Sequence, residues 1–221
     1  MLGGRYRENY DVLHLDDARP VAVVADGMGD GPGSVAAGRT SVEVFVREAA
    51  AGPVALRAAV AEVQRAVRAA GSTISGLTGC TLTAFVGDED GAWLVQLGDS
   101  RVYRLRGGLL ELLTVDHTVA WLGVLHGWFA HDSAEARAAR YRLTRYCGHP
   151  DLPEPDLMHV SLRPGDVFLL CTDGVSDQLP YERMARVLQT ATDPAAAVRE
   201  LLSDPLPTGD DNATAVIIRV G

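Results

Sequence analysis

The chain has 221 residues, 47% of them hydrophobic and 22% charged, and a formal net charge of -9. This composition is typical of a folded globular protein and excludes disordered and collagen-like chains. The negative charge argues against a nucleic-acid-binding protein, because phosphate contacts need a basic face. The length fits one domain, residues 1–221, that folds alone.

Lysine and cysteine usage limit the chemistry further. All 20 basic residues are arginine, so the lysine of a nucleotide-binding P-loop and a Schiff-base lysine are both excluded. The three cysteines, Cys80, Cys147 and Cys171, are far apart in the sequence, which fits neither a disulfide framework nor a zinc site. We expect buried, reduced thiols.

Two further features concern the location of the protein. No apolar run approaches the ~18 residues that span a bilayer. The segment Met1–Arg5 lacks the apolar core of a secretory signal. We therefore expect a cytoplasmic protein that does not bind membranes.

The first half of the chain changes from helical to strand periodicity. Val21–Ala25 is a short apolar run ending at Asp26-Gly27, as a buried strand entering a turn does. Small and apolar residues then recur at helical spacing on both sides of Gly52-Pro53. Beyond Gly76 the apolar residues alternate or run together between glycine-rich turns, with the two-residue period of β-strands. The predicted elements are helices over 34–50 and 54–70, followed by an antiparallel meander of strands over 81–86, 93–97, 102–105 and 109–113.

The second half begins with a mixed segment. Residues 119–146 fit neither period throughout, which predicts an irregular flap, about residues 115–147, with a helical piece over 134–141. The elements predicted after it are strands over 158–162 and 167–171, helices over 181–190 and 194–202, and a last strand over 213–220. Helices, then strands, then helices describe an α+β domain rather than a parallel α/β fold.

Several aspartates are placed at the ends of predicted strands, each beside glycine, serine or asparagine. They are Asp11, Asp26, Asp99, Asp173 and Asp211. An aspartate directly after a buried strand is held by a rigid element and points into the crevice at the sheet edge. A neighbouring glycine lets the backbone approach an ion closely.

Such a set predicts bound cations. Mg²⁺ and Mn²⁺ take oxygen ligands and keep several waters, so a few carboxylates and one carbonyl suffice. Without cations, close like charges would raise one another's pKa. Taken singly, Asp26 and Asp173 are ordinary Asp-Gly turn residues. Their joint order with the other motifs, Asp-Gly-Met-Gly, Gly-Asp-Ser-Arg, Thr-Asp-Gly and Asp-Asn, favours a metal site.

This order resembles the PPM (type 2C) family of metal-dependent protein serine/threonine phosphatases, in its bacterial form, over nearly the whole chain. The matching segments are 23–29, 79–83, 98–103, 113–118, 143–145, 164–177 and 209–214. The resemblance implies an α-β-β-α sandwich, in which two antiparallel sheets are flanked by helices. It places the metals in a cleft at one end of the sandwich.

The resemblance implies two Mn²⁺ or Mg²⁺ ions and assigns their ligands. Asp26 would bridge the two metals, with the Gly27 carbonyl on the second metal. Asp173 and Asp211 would complete the first. A hydroxide bridging metals roughly 3.5–4 Å apart would attack phosphorus in line, without a protein nucleophile.

Three more residues have implied roles. Asp99, together with Asp173, matches a weaker third metal site, and Asp11 matches an acidic residue that binds metal or orders metal-bound water. Arg7 is the candidate to neutralise the phosphoryl oxygens. The implied activity is removal of phosphate from serine or threonine in proteins, opposing a bacterial serine/threonine kinase.

The N-terminal motif departs from the family pattern. Tyr10 stands where a Glu or Gln usually precedes the motif's aspartate. Tyr6, flanked by Arg5 and Arg7, occupies the position of the phosphate-binding arginine. The strand that precedes this motif in the family is expected to be short or absent. These departures favour an alternative function, a weakly active or inactive phosphatase-like domain that binds a phosphorylated partner.

Three other positions lie in motifs that carry catalytic residues in some enzymes. Met28 stands where some relatives carry a histidine, so protonation of the leaving group would come from water or another side chain. At His117 a capping segment is favoured over a catalytic role, with Asp116 or Thr118 accepting hydrogen bonds at the start of the flap helix. A serine nucleophile at Ser100 is not supported, because the motif lacks the second glycine of a nucleophile elbow.

Overall fold

The computed structural model describes residues 1, 8–16, 18–203 and 211–221. No helix in these ranges combines the length and the apolar character needed to cross a membrane. The described residues form nine strands and seven helices in the order β1 (Val12–Leu15), β2 (Val21–Ala25), α1 (Pro32–Glu48), α2 (Pro53–Gly71), β3 (Leu82–Gly87), β4 (Ala92–Leu97), β5 (Arg101–Arg106), β6 (Leu109–Leu112), α3 (Val119–Leu125), α4 (Ala134–Ala139), β7 (Asp156–Val160), β8 (Val167–Cys171), α5 (Asp173–Ser176), α6 (Tyr181–Thr190), α7 (Pro194–Ser203) and β9 (Ala215–Arg219).

The strands form two antiparallel sheets. One has the order β1-β2-β3-β4-β7 and the other β6-β5-β8-β9. The continuous meander predicted over residues 81–113 is therefore wrong, because β4 and β5 belong to different sheets. Gly98 has a φ of 103°, which takes the chain out of β4 in a conformation that favours glycine. The crossover between the sheets carries Asp99.

Each sheet packs a helical layer on one face and the other sheet on its opposite face. In β2, Val21, Val23 and Ala25 belong to the core under α1 and α2, whereas Ala22 and Val24 belong to the core between the sheets. A strand buried on both faces has a continuous apolar sequence, as β2 does. The predicted α-β-β-α sandwich is confirmed.

The other sheet is built in the same way. In β8, Val167 and Leu169 pack against α6 and α7, and Phe168 and Leu170 face the first sheet. The Phe168 ring meets the Phe85 ring of β3 edge-on, with centroids 5.3 Å apart and planes inclined by 62°. This contact joins the two sheets in the middle of the sandwich.

Most predicted elements are confirmed within a few residues, and β2, β8 and α6 have the predicted bounds. The elements that were not predicted are β1 and α5, and α3 was predicted only through the capping segment at its start. In the edge strand β1 the leucines, Leu13 and Leu15, lie on the outward face and are exposed by 52% and 56%, so its apolar residues do not mark a buried face. The helices α3 and α5 have only 7 and 4 residues. The cysteines are buried and free, as predicted. The prediction of a short or absent first strand falls on residues 2–7, outside the described residues.

The core between the sheets should contribute measurably to stability. We expect Phe168→Ala to lower the free energy of unfolding by about 3–5 kcal/mol, because it removes a buried ring and leaves a cavity between two rigid layers. Urea unfolding followed by circular dichroism measures this. Leu109→Ala in β6 is the control, since that side chain is 61% exposed, and it should cost under about 0.5 kcal/mol. Equal losses for the two variants would contradict this account of the fold.

Candidate metal centre

Asp26 and Asp173 meet where the two sheets pack together. Asp26 follows β2 of the first sheet, and Asp173 begins α5 just after β8 of the second. Their carboxyl groups are close enough that each affects the pKa of the other. Because both strands are buried on both faces, each carboxyl group is carried by a rigid element.

The backbone around Asp26 is fixed by Thr81. The Asp26 N–H donates to Thr81 Oγ1 at 2.8 Å, and the Thr81 N–H donates to the Asp26 carbonyl at 2.8 Å. The next residue, Gly27, allows no side chain, since a Cβ there would lie 2.9 Å from the carbonyl oxygens of Tyr10 and Ser34. Glycine at this position lets the N-terminal segment approach the cleft.

Asp11 is held at the same end of the sandwich. Thr172 Oγ1 donates to Asp11 Oδ2 at 2.9 Å and accepts the N–H of Thr214 at 3.0 Å. The Tyr10 N–H donates to Asn212 Oδ1 at 2.8 Å. Three segments that are distant in sequence are thereby tied together around the cleft.

Asp211 reaches the cleft through a close approach of two backbones. A Cβ at Gly174 would lie 1.9 Å from the carbonyl oxygen of Asn212, so only glycine lets α5 contact this segment. The Asn212 N–H donates to Asp211 Oδ1 at 2.8 Å. The glycine of the Thr-Asp-Gly motif thus brings Asp211 near Asp173.

Burial and crowding raise the pKa of four of these carboxyl groups, and burial is the largest cause for each. The pKa of Asp11 is raised to about 6 and that of Asp173 to about 7, with the charge of Asp211 contributing to both. The pKa values of Asp26 and Asp99 are raised well above the ordinary value, and Asp173 contributes to both. The cluster therefore retains protons near neutral pH unless cations compensate its charge.

The site offers oxygen ligands to a hard cation. Within the described part of the chain, Asp11 Oδ1 and Asp173 Oδ1 are buried without a hydrogen-bond partner. Asp26, Asp173 and Asp211 line a cavity of about 290 Å³. Carboxylate oxygens without protein partners, such as those of Asp11 and Asp173, are suitable ligands for Mg²⁺ or Mn²⁺. Among the described residues, no three His, Cys, Asp or Glu side chains are arranged to hold one ion, so a cation would draw carboxylates together or complete its coordination with water.

A second set of charged residues was not assigned from the sequence. Asp99 lines a narrow cavity with Arg101, Asp116, Arg140 and Asp177. Arg101 donates to both carboxylate oxygens of Asp116, at 2.9 and 2.6 Å, and Arg140, just after α4, pairs with Asp177. Asp116 and Asp177 lie in the matching segments 113–118 and 164–177. Their arginine partners are distant in sequence and follow no spacing rule.

The capping prediction for the segment 116–118 is confirmed for one residue. Thr118 Oγ1 accepts the N–H of Trp121 at 3.1 Å and caps α3. Asp116 pairs with Arg101 instead. His117 is 3% exposed, and its ring is hydrogen bonded on both sides.

Arg7 and its neighbours Arg5 and Tyr6 lie outside the described residues, so the predicted phosphate contact stays a prediction. Met28 lines the cavity, and the described residues that line it include no histidine.

The fold and the site define an α-β-β-α sandwich with a cluster of aspartates lining a cavity where the two sheets meet. The Protein phosphatase 2C family model matches residues 8–206. The chain belongs to this family.

Known relatives agree with this assignment. The serine/threonine protein phosphatase PstP of Mycobacterium tuberculosis is 33% identical over 171 residues, which cover 73% of this chain and 33% of PstP. The chain thus spans about a third of that relative's length. The PPM Ser-Thr phosphatase MsPP of Mycobacterium smegmatis, solved in complex with cacodylate, is 31% identical, with a TM-score of 0.86 over 100% of this chain and 96% of that chain. The catalytic domain of PstP in complex with two manganese ions is 28% identical, with a TM-score of 0.83 over 98% and 93%.

We expect the metal-free protein to lose stability as the pH rises from about 4 to about 7. The pKa values of Asp11 and Asp173, about 6 and about 7, lie above the ordinary 3.8. The folded chain therefore keeps protons that the unfolded chain releases, and raising the pH through this window opposes folding. The shift at Asp11 alone corresponds to about 3 kcal/mol. Adding Mn²⁺ should restore stability most at the upper end of the window. Calorimetry with chelator and with Mn²⁺ measures both effects.

Asp173→Asn separates this account from ordinary structural damage. The variant should raise the melting temperature of the metal-free protein at neutral pH, because it removes a charge from a crowded cluster, and it should abolish stabilisation by Mn²⁺. Asp151→Asn is the control, since that carboxylate is 89% exposed, and it should change neither quantity. Loss of metal-free stability in Asp173→Asn would count against the account.

Proposed function

We propose that the protein is a metal-dependent protein serine/threonine phosphatase, an enzyme that hydrolyses phosphomonoesters. The observation that carries the proposal is the acidic cluster of Asp26, Asp173 and Asp211, which lines one cavity where two sheets meet. Membership of the Protein phosphatase 2C family supports it.

The metal assignment follows from the carboxylates in this cavity. Asp26, Asp173 and Asp211 would hold a first Mn²⁺ or Mg²⁺ ion, and Asp26 with the Gly27 carbonyl a second. The two manganese ions in the PstP catalytic domain support a pair. A weaker third ion would lie between Asp99 and Asp173. When bound, the cations would supply the bridging hydroxide that attacks phosphorus and would neutralise the phosphoryl oxygens.

Protein groups around the cleft would orient these ligands. The Thr172 hydroxyl holds one oxygen of Asp11 and leaves Oδ1 without a described partner, ready for a cation or for a water that a cation binds. Leu77 and the flap residues Tyr141 and Leu143 also line the cavity. Their hydrocarbon surface would limit the access of bulk water to the phosphoryl group.

The wider role follows from the activity. The substrate would be a phosphorylated protein in the bacterial cytoplasm, and the opposing enzyme a serine/threonine kinase. We place all of this in a single domain, residues 1–221, with residues 115–147 as the flap. Arg7 would contact the phosphoryl oxygens.

One observation favours the alternative, a weakly active or inactive domain that binds a phosphorylated partner. Tyr10 replaces the usual acid or amide of the N-terminal motif and is buried, and its hydroxyl donates to the Asp30 carbonyl at 2.9 Å. Its phenol is thus engaged with the backbone, at a position where the family has a polar partner for metal-bound water.

Hydrolysis of an aryl phosphate tests the proposal. Activity should require Mn²⁺ or Mg²⁺ and vanish with chelator. Loss of a residue that only supports a metal ligand typically lowers activity by about 10–100-fold. Asp26→Ala should lower kcat/KM by more than this, because it removes the carboxylate that both metals would share. Asp151→Asn, distant from the cavity and exposed, should keep full activity.

The two functions predict different results with a phosphorylated protein. A folded chain that binds the phosphoprotein in the presence of Mn²⁺ but shows no turnover under any metal would support the binding domain. Turnover that persists undiminished in Asp26→Ala would contradict both the metal assignment and the phosphatase proposal.

A further inference from the structure

His117 is buried at the base of the flap, between the Gly98 turn and Asp156. Its backbone N–H donates to the Gly98 carbonyl at 3.0 Å, and its ring Nδ1 accepts the Gly98 N–H at 3.1 Å. On the other side, ring Nε2 lies 3.0 Å from Asp156 Oδ2. Arg145 binds both oxygens of Asp156, at 2.6 and 3.0 Å.

These contacts determine the protonation state of the ring. A backbone N–H can only donate, so Nδ1 must accept and carries no hydrogen. The hydrogen is therefore on Nε2, which donates to Asp156. Burial, the largest cause, lowers the pKa of His117 and favours this neutral form. Each ring nitrogen thus has a distinct and satisfied partner.

Gly98, the partner of Nδ1, is the residue that turns the chain from β4 into Asp99. Its φ of 103° favours glycine, and a Cβ there would lie 2.5 Å from Thr81 Cγ2. Gln96 Nε2 also donates to the Gly98 carbonyl, at 3.0 Å. Both polar backbone groups of this glycine are therefore bonded, and the Asp99 carboxyl follows a turn that cannot relax freely.

We propose that His117 is a positioning residue, which holds the Gly98 turn through Nδ1 and thereby sets the Asp99 carboxylate for the weaker cation site beside Asp173. This inference rests on the proposed metal-dependent function. His117 contacts neither substrate nor metal and acts only through the turn. Asp156 fixes the tautomer that leaves Nδ1 free to accept.

A purely structural role would make a different prediction. His117 also ties the base of the flap, since its carbonyl accepts the Thr144 N–H at 2.8 Å and its ring reaches Asp156. If packing or the flap link were its function, the bond between Nδ1 and Gly98 would be dispensable. Two amide substitutions separate these roles, because each keeps one side of the ring.

The matched variants are His117→Asn and His117→Gln. The asparagine Oδ1 occupies the position of Nδ1 and keeps an acceptor for Gly98, but it does not reach Asp156. The glutamine Nε2 occupies the position of the ring Nε2 and keeps a donor for Asp156, but it has no acceptor for Gly98.

Titration of the full chain with Mn²⁺, followed by the electron paramagnetic resonance of free Mn²⁺, measures binding without turnover. Asp99→Asn identifies the sites that depend on Asp99.

We expect His117→Gln to weaken the Asp99-dependent Mn²⁺ sites by about 10-fold or more, as loss of an outer partner of a metal ligand does. His117→Asn should leave them unchanged. Asp156→Asn, which still accepts the Nε2 hydrogen, should also leave them unchanged. Equal weakening in His117→Asn or Asp156→Asn, no weakening in His117→Gln, or a wild-type chain without Asp99-dependent sites would each overturn the inference.

A measurement on the wild-type chain covers the case in which His117→Gln does not fold. Nitrogen NMR should show the Nε2–H tautomer of His117, and its ring signals should shift as Mg²⁺ fills the Asp99-dependent site. The absence of a shift would overturn the inference. These readouts do not need catalysis. If the wild-type chain hydrolyses no phosphate but His117→Gln weakens Mn²⁺ binding, only the phosphatase proposal is rejected. If hydrolysis is normal and His117→Gln leaves Mn²⁺ binding unchanged, only the positioning role of His117 is rejected.

Discussion

The contact between the Asp26 and Asp173 carboxyl groups is the constraint on which the site depends. Each follows a strand that is buried on both faces, so neither group can withdraw from the other without disturbing a core. Burial and like charge both disfavour the ionised pair. The packing of the two sheets nevertheless keeps the Asp26 and Asp173 carboxyl groups together. In a flexible chain the two groups would move apart. A divalent cation would relieve the repulsion, and its binding would couple the stability of the fold to the chemistry of the cleft.

The supports of these carboxylates are buried polar groups. Thr81 Oγ1 bonds the Asp26 N–H and also Ser100 Oγ, at 2.7 Å, across the two sheets. Thr83 Oγ1 donates to the Ser100 carbonyl at 3.0 Å. Ser100 is fully buried within this network, which gives a structural reason for the serine of the Gly-Asp-Ser-Arg motif and removes it as a nucleophile. A satisfied polar network of this kind specifies one geometry more sharply than apolar packing would.

The sequence predicts those parts of the structure that rest on local pattern. Strands buried on both faces have continuous apolar sequences, and this is why β2 and β8 were predicted with their observed bounds. The aspartates of the cavity were predicted from the joint order of their motifs, and the structure shows that the glycines after Asp26 and Asp173 are required by close backbone approaches. Pairings between distant segments leave no such pattern. The crossover at Gly98, the ion pair of Arg140 with Asp177 and the contacts of the His117 ring depend on the tertiary arrangement alone.

The flap is joined at its base to the segment that precedes β3, and its outer surface carries exposed tryptophans. Cys80 and Cys147 exchange two backbone hydrogen bonds, of 3.2 and 2.8 Å, and Cys80 also pairs with Gly27. Within the flap, Thr118 near its start and Leu143 near its end form an isolated antiparallel β-bridge. By contrast, Trp121 and Trp128 are largely exposed. Cys147 is linked to Gly27 through Cys80, so a change at the base of the flap would reach Gly27, whereas the exposed surface around the two tryptophans can change in sequence more freely.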